Sequence, residues 1–335
     1  MSAEQRKARV TSKDVARLAG VTQPTVSRAL RDDPRVTEET KERVRSAATT
    51  LGYVANVLGR SLSTRETRQV AMVADLNNPL YPSLVAPIHD ELAALGYRMV
   101  LLAERGDEMD VYERLLDRSV DGAVLTTTWL RGSLAQELRK REVPFVFLNR
   151  VSDRTPGDAV ISANADGAAQ VAALFVSQGH RRVGAVFGAS ETSTSRDREQ
   201  GFRKVLDDAG LELPPRRVHR GWFTHHHGVE GFAALMRGRS QPTAIFCVND
   251  ATAIGVLNAA QLAGVKVPGD LAVVGFDDIE MASWPAFELT TVRNPLEAMA
   301  RRSVQLLVDR LQGRAPEQPR VEEMPVELLL RRTHG

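Results

Sequence analysis

The chemistry-bearing side chains of this 335-residue chain stand where short apolar runs stop. VAMVA is followed by Asp75 and Asn77, PFVFL by Asn149 and Arg150, AVIS by Asn164, AIFCV by Asn249 and Asp250, and LAVVGF by Asp277 and Asp278. Arg196 and Arg198 open a helical stretch after AVFG. Carboxylates, amides and forked donors around one cleft suit a small polar, polyhydroxylated molecule, and Tyr81, Phe223 or Trp284 can lend it a stacking face. Covalent and phosphate-cradling chemistry have no such candidates, since GxxxxGK[ST], GxSxG and a Cys–His pattern that would activate a nucleophile are missing. His225, His226 and His227 invite a metal reading. Adjacent residues on a helix point to different sides, however, and no Cys or carboxylate completes a set at ligand spacing. No metal, cofactor or catalysis is expected.

A second group lies near the amino terminus: Thr22, Gln23, Thr25, Ser27 and Arg28, short polar groups and one guanidinium on the outer side of a short helix. Such a face is fit to meet base edges and phosphates in a major groove, although any short capped helix can show similar residues. The elements that position it read clearly. Thr11 and Asp14 form a cap ahead of Val15, Ala16, Leu18 and Ala19, and Gly20 can take the left-handed position that ends the helix. Thr22 caps a second helix, with Pro24 in its first turn and Val21 stapling onto Val26. Only about one residue separates the two, the tight crossing of a helix-turn-helix. A third helix, capped by Thr37, puts Glu38 and Glu39 at the positive end of its dipole and Val44, Ala47, Ala48 and Leu51 on one face before Gly52.

From Gln69 onward strand-like runs alternate with amphipathic helices in two series, so two parallel sheets covered on both faces are expected. In open sheets of this kind ligands sit outside the carboxyl ends of the strands, where the polar residues named above lie. Several have structural alternatives. Asn249 and Asp250 can cap the helix at 252–263, Asp278 can hold a turn, and Arg196 can pair on the surface.

Length at ~100–200 residues per domain suggests two or three globular units. With 43% hydrophobic and 26% charged residues, the composition excludes a disordered, collagenous or membrane-spanning chain. A single cysteine, Cys247, forms no internal disulfide, and the polar start MSAEQRKARV carries no apolar leader, so a cytoplasmic location without a membrane partner is expected. Charge is uneven: the first 68 residues hold 14 basic and 8 acidic side chains, the remainder 30 basic and 34 acidic. A basic head on a slightly acidic body fits a polyanion-binding module joined to something else.

VTSKDVARLAGVTQPTVSRAL, with VTEETKERVRSAATTLGYVANVLGRSL after it, resembles the headpiece of the LacI/GalR family of bacterial transcription regulators. LNNPLYPSLV, VPFVFLNR, SRDREQGF, PTAIFCVND and VPGDLAVVGFDDIEMASWPAFELTTVRNPLEAM resemble that family's effector domain, itself similar to periplasmic sugar-binding proteins. The resemblance implies a small all-α three-helix helix-turn-helix headpiece with a hinge helix, joined to an α/β, two-lobed, doubly wound domain. Residues 1–10 would be a disordered start, 11–55 the headpiece and 56–68 the hinge helix and linker. Residues 69–335 would be the effector-binding and dimerisation domain, its first lobe about 69–162 plus 294–320 and its second about 163–293 plus 321–335. The DNA contacts it implies are Thr11, Ser12, Thr22, Gln23, Pro24, Thr25, Ser27, Arg28, Asn56, Arg60 and Leu62, with Gln23 and Pro24 at the base-reading start and Leu62 as a minor-groove wedge. It carries Asp75, Tyr81, Asn149, Arg198, Phe223, Asn249 and Asp277 into the effector pocket.

Departures from the family pattern are informative. Ala55 replaces a usual proline and Gly59 a usual alanine, so the hinge helix loses a rigid entry and gains a residue costing roughly 1 kcal/mol. Phe287-Glu288 stands where paired prolines are usual. The function implied is a repressor on a near-palindromic operator, acting as a homodimer under a small polar effector, a sugar or sugar derivative. An extracytoplasmic solute-binding protein would require a leader and no basic head, and an enzyme on the same scaffold a nucleophile or cofactor loop.

Overall fold

The computed structural model describes residues 10–53, 66–104, 113, 115–117, 119–238 and 240–335, and divides into two compact units, up to Thr67 and from Arg68. The expected disordered start up to residue 9 and the 56–65 part of the hinge lie outside the described residues.

In the first unit, α1 (Ser12–Ala19), α2 (Gln23–Ala29) and α3 (Glu38–Leu51) enclose one small core. The Asp14 carboxylate accepts from the Thr11 amide and hydroxyl at 3.0 and 2.7 Å, closing the first turn of α1. Gly20 ends that helix at φ 65° and Gly52 ends α3 at φ 60°, backbone conformations in which a side chain would be strained. Val15, Ala16 and Ala19 meet Val26 and Ala29 of α2 and Val44, Ala47 and Ala48 of α3. Two sequence expectations need correction. Leu18 is 54% exposed, because Val15, Ala16 and Ala19 already fill the inward stripe and Leu18 falls outside it. The Thr22 hydroxyl pairs with that of Thr25 at 2.8 Å and does not cap the backbone, whereas Thr37 does accept from the Thr40 amide.

The second unit holds two parallel sheets. Six strands in the order β11-β5-β4-β3-β1-β2 form the first: β1 (Gln69–Ala74), β2 (Arg98–Ala103), β3 (Gly122–Leu125), β4 (Phe145–Leu148), β5 (Asp158–Ser162) and β11 (Val321–Met324). On one face α4 (Pro82–Ala94) and α10 (Leu296–Leu311) bury Leu84, Ile88, Val304 and Leu307 against Val70, Met72 and Val146. α5 (Leu134–Lys140) covers the other face, where Ala135 and Leu138 meet Ala123, Leu125 and Phe147. The second sheet runs β7-β6-β8-β9 through β6 (Val183–Phe187), β7 (Val218–Arg220), β8 (Ala244–Cys247) and β9 (Ala272–Val274). α6 (Asn164–Ser177) and α7 (Ser193–Asp208) pack on one side of it, α8 (His225–Leu235) and α9 (Asp250–Leu262) on the other. β10 (Thr291–Arg293) and β12 (Glu327–Leu329) make a short antiparallel ribbon against the second core.

The chain therefore crosses between the lobes three times, after Ser162, after Arg293 and after Met324. Assigning all of 321–335 to the second lobe is corrected by β11, whose Val321 to Met324 lie in register with Ala159 to Ser162 of the first sheet. An edge of β5 was open there and the returning chain completes it. Strand order reverses between β1 and β3 in one sheet and between β6 and β8 in the other. The crevices this creates at the carboxyl ends of those strands are where a ligand fits.

Candidate nucleic-acid interface and interlobe cleft

α2 turns Val26 and Ala29 inward, which leaves Thr22, Gln23, Pro24, Ser27 and Arg28 exposed and Thr25 half-buried. The Gln23 Nε2 donates to Ser12 Oγ at 3.0 Å, tying the start of α2 to the start of α1 and placing Thr11, Ser12 and Gln23 on one edge. Arg31 Nε donates to the Ser27 carbonyl at 2.9 Å and adds a cation the sequence reading had not singled out. Asn56, Arg60 and Leu62 lie outside the described residues.

In the second unit the seven expected effector residues divide into a buried bed and a cavity wall. Arg198, only 2% exposed, is the centre of the bed. It donates to Asn164 Oδ1 at 2.8 Å, to the Val248 carbonyl at 2.5 Å and to Asp277 Oδ1 at 3.0 Å, while its guanidinium lies 3.6 Å from the centre of the Phe276 ring. Asn294 Nδ2 also donates to that carboxylate, at 2.9 Å. Burial pushes the Asp277 carboxyl up from its ordinary value, against the pull of Arg198 and Asn294. Asn149 Nδ2 donates to the Tyr81 hydroxyl at 3.4 Å, and burial raises that phenol. Asn149 at φ 73°, Asp277 at 115° and Asp278 at 55° all hold left-handed backbone, a concentration of strain at the ends of β4 and β9.

The cavity has a volume of about 830 Å³. Asp75 and Phe223 line it; Tyr81, Asn149, Arg198, Asn249 and Asp277 do not. Asn249 accepts from the Thr252 amide and hydroxyl and donates to the Phe223 carbonyl, so it caps α9 and steadies the loop that carries Phe223. Of its neighbours, Arg196 pairs on the surface as expected, whereas Asp250 does not cap the helix and Asp278 pairs with two arginines. Asp250 accepts from Ile279 and Thr291, Asp278 from Arg293 and Arg331, and Arg196 pairs with Asp153 and Asp197. Trp284, offered as a stacking face, is not on the cavity wall.

The wall adds what sequence reasoning missed. Trp129 follows β3 and Trp222 follows β7, and their rings meet edge to face across the lobes with centroids 5.7 Å apart. Arg150, already named from its place after β4, joins them, its guanidinium 4.5 Å from the Phe223 ring centre. Both tryptophans follow strand ends just as the polar candidates do, and that position was the available signal. Beside this cleft the Leu130 amide reaches the Glu191 carbonyl at 2.8 Å and the Val151 amide reaches Ser193 Oγ at 3.0 Å, so the lobes are in contact. Among the described residues one group combines ligating side chains, His219, His227 and Glu230, within 4.8 Å of one another. Its two imidazoles are stacked, and His227 Nε2 engages the Phe187 carbonyl at 3.1 Å. Stacked rings present their lone pairs side by side and do not converge them on a point.

Residues 11–56 match the bacterial regulatory proteins of the lacI family, and residues 172–334 the periplasmic binding protein-like domain. The HTH-type transcriptional repressor PurR of Photobacterium profundum is 31% identical over 329 residues, 96% of this chain and 98% of its own. The chain belongs to the lacI family. Among solved lacI-family structures, the lac repressor dimer bound to operator and an anti-inducer aligns with a TM-score of 0.86 at 27% identity, covering 97% of this chain and 99% of that one. The regulator CelR in complex with cellobiose gives 0.76 at 30% identity, covering 97% and 100%. As a lacI-family member the protein is a DNA-binding transcription repressor that responds to small molecules, and it is not an enzyme. Among the described residues no helix is long and apolar enough to cross a membrane.

Proposed function

We propose that the chain acts in the cytoplasm as a homodimer on a near-palindromic operator, and that a sugar or sugar-like ring held between the lobes sets its affinity for DNA. The observation that carries this reading is the cavity itself, walled by Trp129, Trp222 and Phe223 and lined by Asp75, Asn77, Asn78 and Thr127. Aromatic edges for the apolar face of a ring and amides and carboxylates for its hydroxyls match the chemistry of a carbohydrate. Cellobiose in the CelR structure supports the ligand class, and the operator-bound lac repressor dimer supports the assembly. Thr11, Ser12, Thr22, Gln23, Pro24, Thr25, Ser27 and Arg28 meet each half-site, and Asn56, Arg60 and Leu62 serve the hinge pair. Two-fold symmetry follows because one headpiece reads only a half-site. Asp75 and Phe223 touch the effector, while Tyr81, Asn149, Arg198, Asn249 and Asp277 hold the bed whose rearrangement reaches the DNA, with a coupling of ~1–3 kcal/mol.

Selection from randomised duplexes, followed by titration against salt with and without neutral sugars, tests the reading. Specific binding should weaken steeply with salt as counterions are released, and a sugar that raises the melting temperature should shift the operator midpoint. No enriched duplex under any condition would overturn it.

A further inference from the structure

Arg150 is 7% exposed and lines the cavity, yet among the described residues it makes neither a hydrogen bond nor an ion pair. Its Nε is fully buried without a partner. The guanidinium rests only on rings, 4.5 Å from the centre of Phe223 and 6.0 Å from that of Tyr81. The carboxylate whose charge it feels, Asp277, is already engaged by Arg198 and Asn294. Asp250, the other buried acid nearby, is pushed well above the usual carboxylate range by burial and by Asp277, and its oxygens are taken by the Ile279 amide and the Thr291 hydroxyl. Among the described residues Arg150 is thus left as a buried guanidinium in the cavity wall with no hydrogen-bonded acid of its own, although Asp75 and Glu104 line the same cavity. A buried cation without a hydrogen-bonded counter-charge is costly, and it gains most from an anion that arrives with the ligand. The guanidinium is also planar and forked, a shape that matches carboxylate and phosphate oxygens two at a time.

We infer that Arg150 anchors an anionic group of the effector, a carboxylate or a phosphate on a sugar-like ring. This rests on the cavity being the effector site. The ring rests against the Trp129–Trp222 pair and its hydroxyls meet Asp75 and Asn77, while the charged end reaches Arg150 on Phe223.

Calorimetric and thermal-shift titrations of the full-length protein with glucose, gluconate, glucuronate and glucose 6-phosphate test this, alongside the variants Arg150→Gln and Arg150→Lys. At least one anionic probe should bind the native protein about tenfold or more tighter than glucose. Carboxylate and phosphate arms tell which anion is taken. In Arg150→Gln that advantage should vanish, and in Arg150→Lys, which keeps the charge without the fork, part of it should return. Both variants should keep the native far-UV circular dichroism, so that a lost advantage reports binding and not folding. Glucose binding as tightly as every anion, or an undiminished anion advantage in Arg150→Gln, overturns the assignment of Arg150 and leaves the cavity as the effector site. Silence from all probes, neutral and anionic alike, overturns the cavity reading and the anion with it.

Discussion

Arg198 and Arg150 show how differently two guanidinium groups behave when both act on the charge of the same acid. Arg198 is fully satisfied, and removing it would strand Asp277 and Asn164 in the interior. Arg198→Ala should therefore cost about 3–5 kcal/mol in urea unfolding of the second unit, so loss of effector response in that variant is best separated from loss of fold by using Asp277→Asn beside it. Titration supplies a second test. Burial holds His180 and His227 below their ordinary value of 6.5. The unfolded chain then takes up protons that the folded one refuses, so their contribution is full above about pH 6.5 and is lost as pH falls below it. Asp250 runs the opposite way: its raised carboxyl stabilises the fold at low pH, and that contribution fades as pH rises through the folded value. Relative to His227→Gln, whose amide can still donate to Phe187, the native protein should lose unfolding free energy as pH falls from 7.5 to 5.5, since the Asp250 contribution is common to both proteins.

Between elements, glycine sets how closely helices approach. A methyl group on Gly201 of α7 would overlap the Ala165 carbonyl of α6, and one on Gly228 of α8 would overlap the Thr252 carbonyl of α9. Gly201→Ala should cost ~3 kcal/mol, the upper part of the range for overpacking, and appear as a lower melting temperature with helicity retained. Elements were the most legible level in the sequence. Caps at Thr11 and Thr37, the stops at Gly20 and Gly52, and the alternation of apolar runs with helices are local signals that tertiary contacts did not override. The site was legible only in part. Asp75 and Arg150 could be placed because they follow strands, but that Trp129 and Trp222 meet from opposite lobes and that Arg150 lacks a partner are things a linear pattern cannot show. The place of β11 was hidden for a related reason: Val321 to Met324 is an edge segment with exposed side chains and none of the apolar continuity that marks an inner strand.

At the scale of the whole molecule, the family fixes the logic and the chain's own residues set its terms. A homodimer should elute with the mass of two chains of 36.8 kDa, and headpiece variants at Gln23 or Arg28 should leave that mass unchanged while weakening operator binding. A monomer at concentrations that saturate DNA would contradict the proposed assembly. One feature of the topology sets how the two lobes can move. Since they are stitched by the segments after Ser162, Arg293 and Met324, any relative rotation must twist three strands of chain at once, which confines it to a narrow pivot. Cutting one of the three with a protease would leave the other two as tethers, so a nicked receptor would still travel as a single body and still grip its metabolite.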